Sequence, residues 1–197
     1  HISSINELEK WAIEIPDYAI SLARAFWPGP MTLILKRTKI VGDFITGGQE
    51  TVGLRVPSHP LALALILEFE KLSNSAVAAP SANRFGQVSP TSSSDVHEEL
   101  GDYLADSDIV LDGGNSSIGI ESTIIDCTRE SPLILRPGFI TKSMINGIRK
   151  LGSQKKTRMN RVSGNFEKHY APTARILIDV DPQPGQAFFA MSQYLTP

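Results

Sequence analysis

An α/β fold is predicted for this chain on three observations. Short apolar runs of strand character alternate with longer segments whose apolar residues recur at helical spacing. Several of the strand-like runs end in pliable loops crowded with glycine, serine and threonine. At 197 residues and 41% hydrophobic content, the chain can bury one substantial core, as one domain or a domain with an appendage.

The elements follow in order. INELEKWAIEIPDYAISLARAFW predicts helix over Leu8 to Phe26, interrupted near Pro16. The Pro28-Gly29-Pro30 turn feeds a strand from Met31 to Lys36, and Thr51 to Val56 forms another. Leu61 to Leu72 is an apolar helix. Ser75 to Ala79 is expected as a buried strand, because Pro80 biases Ala79 away from helix. Ser93, Ser94 and Asp95 make a capping set for a helix running to Leu104. Ile109 to Leu111, Ser122 to Asp126 and Leu133 to Leu135 complete the strands, and Ile140 to Leu151 is the last helix of the main domain. KKTRMNRVSGNFEKHYAP is polar, basic and poor in core residues, which marks a linker. Arg175 to Val180 opens one more strand. The expected organisation is therefore a domain over 1–152, a linker over 153–174 and the start of a second unit over 175–197.

Composition removes several function classes. Nineteen Lys and Arg against 21 Asp and Glu give a net charge of -2, so no bulk basicity argues for wrapping nucleic acid, although a local patch stays open. The single cysteine, Cys127, excludes an intramolecular disulfide framework and a multi-cysteine zinc site; it fits a reducing compartment, and cytoplasm is the expectation. Cys127 follows an apolar run and reads as a small buried side chain rather than a nucleophile. His1, His59, His97 and His169 lack zinc-binding spacing. Neither G-x-x-x-x-G-K-[ST] nor G-x-G-x-x-G occurs, so these loops give no argument for a nucleotide. No apolar run reaches membrane-spanning length, and the opening residues lack the order of a secretion signal, so a soluble protein is expected.

Chemistry concentrates where strands end. In AVAAPSANRFGQVSPT, Ala76 to Thr91, small residues and Gly86 let the backbone approach a ligand, while Ser81, Asn83, Ser89 and Thr91 offer short donors and acceptors. The same composition suits an ordinary polar connection. Arg55, two residues before Pro57, can fork onto a carboxylate or phosphate, or serve in a surface salt bridge. DGGNSSIGIESTIID carries hydroxyls into a strand through a pliable loop, or forms a long hairpin connection. Arg136-Pro137-Gly138 sets a positive charge beside a tight turn.

FWPGPMTLIL, TVGLRVPSHPLA, PSANRFGQVSPT, GIESTIID and ILRPG, in this order, resemble the YrdC-type threonylcarbamoyl-AMP synthases; KHYAPTA resembles the linker of their longer, two-domain members. The resemblance runs from His1 to about Arg175. It implies a twisted, open mixed sheet with flanking helices around a large concave cavity for ATP and L-threonine. The implied nucleotidyltransferase reaction joins threonine, bicarbonate or CO2, and ATP into threonylcarbamoyl-AMP and releases pyrophosphate. The product serves the N6-threonylcarbamoyladenosine (t6A) modification of tRNA through downstream tRNA threonylcarbamoyl transferase proteins.

Carried over by motif, His1, Arg55, Ala79 and Ser122 would bind L-threonine. Thr51, Ser81, Ser89, Arg136 and Tyr170 would bind ATP, with Asn83 nearby and Mg2+ accompanying the nucleotide. The implied reaction requires no nucleophilic side chain; the catalytic residues, a base among them, stay unassigned, and no protein-held metal is expected. The family's T-x-T-x-Y-G-L and K-x-R-P segments are missing, and His1 falls at the end of its P-L-I-V-H stretch, so a fragment cut at both ends is expected, of weak or no activity alone. The unit after the linker would be the first strand of a Rossmann-like domain. Two other readings stay open at this stage: a double-stranded RNA or tRNA binding module of the same fold, and the carbamoyl-transfer domain of a maturation enzyme.

Overall fold

The strand β2, Met31–Arg37, organises the molecule because both of its edges and both of its faces are used. The computed structural model describes residues 1–152, 161–162, 177, 181, 183–185 and 187. One edge of β2 pairs antiparallel with β3, Thr51–Leu54. The other pairs parallel with β4, Thr123–Asp126, over Met31 to Ile34, and antiparallel with the two-residue β1, Ala12–Ile13, at Lys36 and Arg37. The antiparallel β5, Leu133–Arg136, adds to β4 with a bulge between Ile124 and Ile125, which completes a five-stranded mixed sheet.

Alternation along β2 sorts its side chains between two apolar clusters. Met31, Leu33 and Leu35 join the main core with Val52 and Leu54 of β3. Ile34 points the other way, into a smaller cluster with Ile124, Leu133 and Leu135 that Val162 flanks. The main core is covered by α2, Asp17–Phe26, whose Tyr18, Ala19, Leu22 and Ala23 recur on one face. Leu22 is fully buried, and burying a leucine stabilises by about 1.5–3 kcal/mol.

The helices begin and end where local chemistry requires. Pro16 is the N-cap of α2, so the predicted long helix breaks into a 3-10 turn at Ile5–Glu7, the short α1 (Leu8–Trp11), β1 and α2. A single helical turn, α3 (Asp43–Thr46), lies between β2 and β3. Pro60 starts α4, Pro60–Ser73, at a position where its missing N–H costs nothing, and Asn74 stops it with φ 51°. In α5, Ser93–Leu100, the cap is Ser92: its hydroxyl accepts from Asp95 N at 3.2 Å, and Ser92 N donates back to Asp95 at 3.0 Å. The cap thus falls one residue before the predicted set, and the helix gives way to a 3-10 turn at Gly101–Tyr103. The last described helix is α6, Lys142–Ile148, shorter at both ends than expected and capped by Thr141.

Two predicted strands do not form. Among the described residues, Ser75 to Ala79 finds only His1 as a main-chain partner, through His1 N to Val77 O at 2.6 Å and Val77 N to His1 O at 3.1 Å, and no ladder grows from that exchange. Ile109 to Leu111 has no partner strand among the described residues, and Ile109 stands 81% exposed. The linker over 153–174 and the strand over Arg175 to Val180 lie almost wholly outside the described residues. Among the described residues, no helix is long and apolar enough to cross a membrane.

Candidate ligand-binding site

The loops that follow β3, precede β4 and end β5 surround a cavity of about 960 Å³. Arg55, Ser81, Ser89, Glu121, Ser122 and Arg136 line it. Drug-sized ligands occupy pockets of about 300–1,000 Å³, so the space suits a nucleotide-sized molecule or two smaller ones.

Arg55 comes off the end of β3 and is held by its Nε donating to the Gly29 carbonyl at 3.0 Å. Burial lowers its pKa from the ordinary arginine value, the Glu121 carboxylate opposes that effect, and the Arg136 charge adds to it. Arg136 closes β5, with only 8% exposure. Its Nε and Nη2 both donate to the Ser122 carbonyl, at 3.1 and 2.9 Å, and Nη2 also donates to the Ser122 hydroxyl at 3.1 Å. That hydroxyl shares a 2.8 Å hydrogen bond with Thr32 of β2. The arginine is therefore fixed to the same loop that carries the serine.

Glu121 joins the walls. Ser89 donates to its Oε1 at 2.7 Å, and its Oε2 lies 3.3 Å from Arg136 Nη2. Ser89 sits after a turn in which Asn83 Nδ2 donates to the Arg84 and Gln87 carbonyls and Gly86 takes φ 83°. A side chain there would be strained, as the small-residue reading of this loop anticipates. Gly138 serves another need: a Cβ on it would lie 2.5 Å from the Glu121 carbonyl and 2.6 Å from Thr123 N, so only glycine lets the turn after β5 pack on the start of β4. The opposite wall is tied by His59, whose Nε2 is 3.1 Å from the Gly113 carbonyl.

Of the residues singled out from the sequence, Arg55, Ser81, Ser89, Ser122 and Arg136 come together in the lining. Asn83 is one step behind, its Oδ1 accepting from Ser89 at 3.4 Å. His1 and Ala79 are absent from the lining; His1 is half-buried on the 75–79 segment, and Ala79 is exposed two residues before Ser81. Thr51 begins β3 and pairs with Lys36, whereas Arg55 follows its end, so about 13 Å of strand separates them and Thr51 is outside the lining. Tyr170 lies outside the described residues.

Glu121 was not singled out from the sequence, although its place beside Ser122 in GIESTIID was a signal. Cys127 is buried, and burial followed by the Asp126 charge pushes its thiol pKa up, which leaves it without thiolate character. Among the described residues, no group of three His, Cys, Asp or Glu could hold a metal.

Two arginines, one carboxylate and several hydroxyls line a large cavity on a mixed sheet flanked by helices: an α/β domain whose cavity carries donors with the chemistry to hold an anion. The Sua5/YciO/YrdC family model, described as telomere recombination, matches residues 1–138, and the chain belongs to this family. It is 41% identical to the threonylcarbamoyl-AMP synthase of Pyrococcus abyssi over 191 residues, 93% of this chain and 54% of the relative. It is 40% identical to the threonylcarbamoyl-AMP synthase of Bacillus subtilis over 186 residues, 90% of this chain and 51% of the relative.

The fold is that of solved relatives. The crystal structure of P. abyssi Sua5 complexed with L-threonine matches with a TM-score of 0.75 at 40% identity, over 88% of this chain and 51% of that one. E. coli YciO matches with a TM-score of 0.58 at 26% identity, over 69% of this chain and 63% of that one. The chain spans about half the length of the curated relatives first named.

Proposed function

We propose that this chain forms the nucleotidyltransferase domain of a threonylcarbamoyl-AMP synthase, which makes threonylcarbamoyl-AMP from L-threonine, bicarbonate or CO2, and ATP. The observation that carries this reading is the convergence of Arg55 and Arg136 with the hydroxyls of Ser81, Ser89 and Ser122 on one cavity of about 960 Å³. Relatives bearing that activity in their names support it, as does the threonine complex of P. abyssi Sua5.

The chemistry asks for positioning and charge neutralisation. The threonine amine adds to CO2 and loses a proton, which gives a carbamate. A carbamate oxygen then attacks the α-phosphorus of ATP, forming one P–O bond while the bond to pyrophosphate breaks. No side-chain nucleophile is consumed, and fixed arginines and serine hydroxyls can hold the two anionic substrates in line. Arg55 and Ser122 would receive the threonine carboxylate, while Ser81, Ser89 and Arg136 would receive ATP. His1, Ala79, Thr51 and Tyr170 are proposed contacts that come with the rest of the site. Mg2+ would enter with the triphosphate and spread its charge; the oxygen donors here fit a cation carried mainly by phosphate and water.

In this reading the adenylate passes to a downstream tRNA threonylcarbamoyl transferase for t6A formation, in the cytoplasm. The test supplies the full-length protein with ATP, Mg2+, bicarbonate and L-threonine, and follows pyrophosphate release and adenylate formation by mass spectrometry. Threonine-dependent pyrophosphate release with the adenylate mass is expected. Turnover that ignores threonine, or none at all, overturns the assignment.

A further inference from the structure

We propose that Glu121 is an internal competitor for the anion-binding donors of the cavity: its carboxylate holds Ser89 and Arg136, and a polyphosphate must displace it to bind. The proposal rests on the nucleotide reading above and adds to it the residue that sets how tightly polyphosphate is held.

The geometry is that of a substitute anion. One carboxylate oxygen takes the Ser89 hydroxyl at 2.7 Å and the other lies 3.3 Å from Arg136 Nη2. Glu121 also acts electrostatically on Arg55, against the repulsion between the two arginines. A phosphate oxygen would use the same kinds of donor as the carboxylate does, a hydroxyl and a guanidinium. Both anions cannot take the same proton, and their charges repel.

The surroundings separate what can move from what cannot. The Glu121 main chain is pinned, because the turn at Gly138 packs so closely on its carbonyl that a Cβ would be 2.5 Å away. The neighbouring Ser122 carbonyl is gripped twice by Arg136. The Glu121 side chain, by contrast, is 24% exposed at the cavity wall. Asp126, four residues on the other side of Ser122, shows the opposite arrangement. It is fully buried and holds Thr128 and Arg129, as a structural carboxylate does. Swinging Glu121 away thus leaves Arg136, a residue of the cavity lining, anchored through Ser122.

The test uses the full-length protein with inorganic pyrophosphate and, separately, L-threonine as titrants in calorimetry. Glu121→Gln keeps the shape and removes the charge, so it is expected to tighten pyrophosphate binding about three- to tenfold. It is also expected to steepen the salt dependence and to change threonine affinity less than pyrophosphate affinity, since Glu121 acts on Arg55 through its charge but holds Ser89 and Arg136 directly. Glu121→Asp, which keeps the charge but withdraws it from Ser89, should tighten less. In an Arg136→Ala background the Gln effect should shrink, because the shared donor is gone. Unchanged or weaker pyrophosphate binding in folded Gln and Asp variants overturns the proposal, as does a selective loss of threonine affinity, which would make Glu121 a threonine ligand. Wild-type protein that binds no pyrophosphate overturns the nucleotide reading as well.

Discussion

Arg136 and Ser122 form a single unit: one guanidinium takes the serine carbonyl from two nitrogens, at 3.1 and 2.9 Å, and its hydroxyl at 3.1 Å. The arginine at the end of β5 is thereby set against the residue that enters β4, and both face one cavity. A lysine could supply the charge but not the planar fork.

Arg136→Ala and Arg136→Lys should therefore both weaken ATP binding by the full-length protein. A loss of about 1.5–3 kcal/mol, roughly ten- to hundredfold, is expected for Ala, with Lys recovering only part of it. Calorimetric titration of the two variants reads this directly, and equal ATP affinity in wild type and Arg136→Ala would show that the arginine serves the loop alone.

Arg55 is tied by one hydrogen bond from its Nε to the Gly29 carbonyl and belongs to the cavity lining. Arg55→Ala should weaken L-threonine binding about tenfold or more with a smaller effect on ATP. Parallel titrations with the two ligands check the split. Equal losses for both would assign Arg55 to general electrostatics.

Leu22 lies fully buried between α2 and the sheet. Leu22→Ala should cost about 2–5 kcal/mol of stability through lost burial and the cavity left behind. Urea unfolding followed by circular dichroism measures it, with the midpoint expected to fall at unchanged slope.

Cys127 gives a pH prediction whose sign is fixed by burial. Its folded pKa is raised above the ordinary thiol value of 9.0, so the folded state keeps the proton that the unfolded chain gives up. That contribution is complete below pH 9.0 and declines as pH rises further. Cys127→Ala should flatten the alkaline fall in stability, and a thiol reagent should label native wild type only as fast as it opens.

The sequence was most legible where local chemistry and tertiary environment agreed. Met31 to Lys36, Thr51 to Val56 and Ser122 to Asp126 pair as expected because their apolar residues find partners across β2. Ser75 to Ala79 and Ile109 to Leu111 carry equally strand-like residues but join no ladder among the described residues, a fact that no property of their own side chains records. The same limit explains the site. Arg55, Ser89, Ser122 and Arg136 announced themselves by residue type and loop context, whereas Glu121 acquires its meaning only from Ser89 and Arg136, which reach it from distant parts of the chain.

The placement of β2 has a consequence for assembly of the protein. Arg55 follows a strand on one edge of β2, while Ser122 and Arg136 belong to strands built out from the other. The β2–β3 and β4–β5 pairings are local in sequence, whereas β2–β4 joins Met31 to Thr123 across most of the chain, so the two halves of the wall meet only when that one long loop closes. Competence to bind should therefore appear late in refolding, together with global cooperativity. A ligand bridging Arg55 and Arg136 would slow global unfolding rather than quiet one loop.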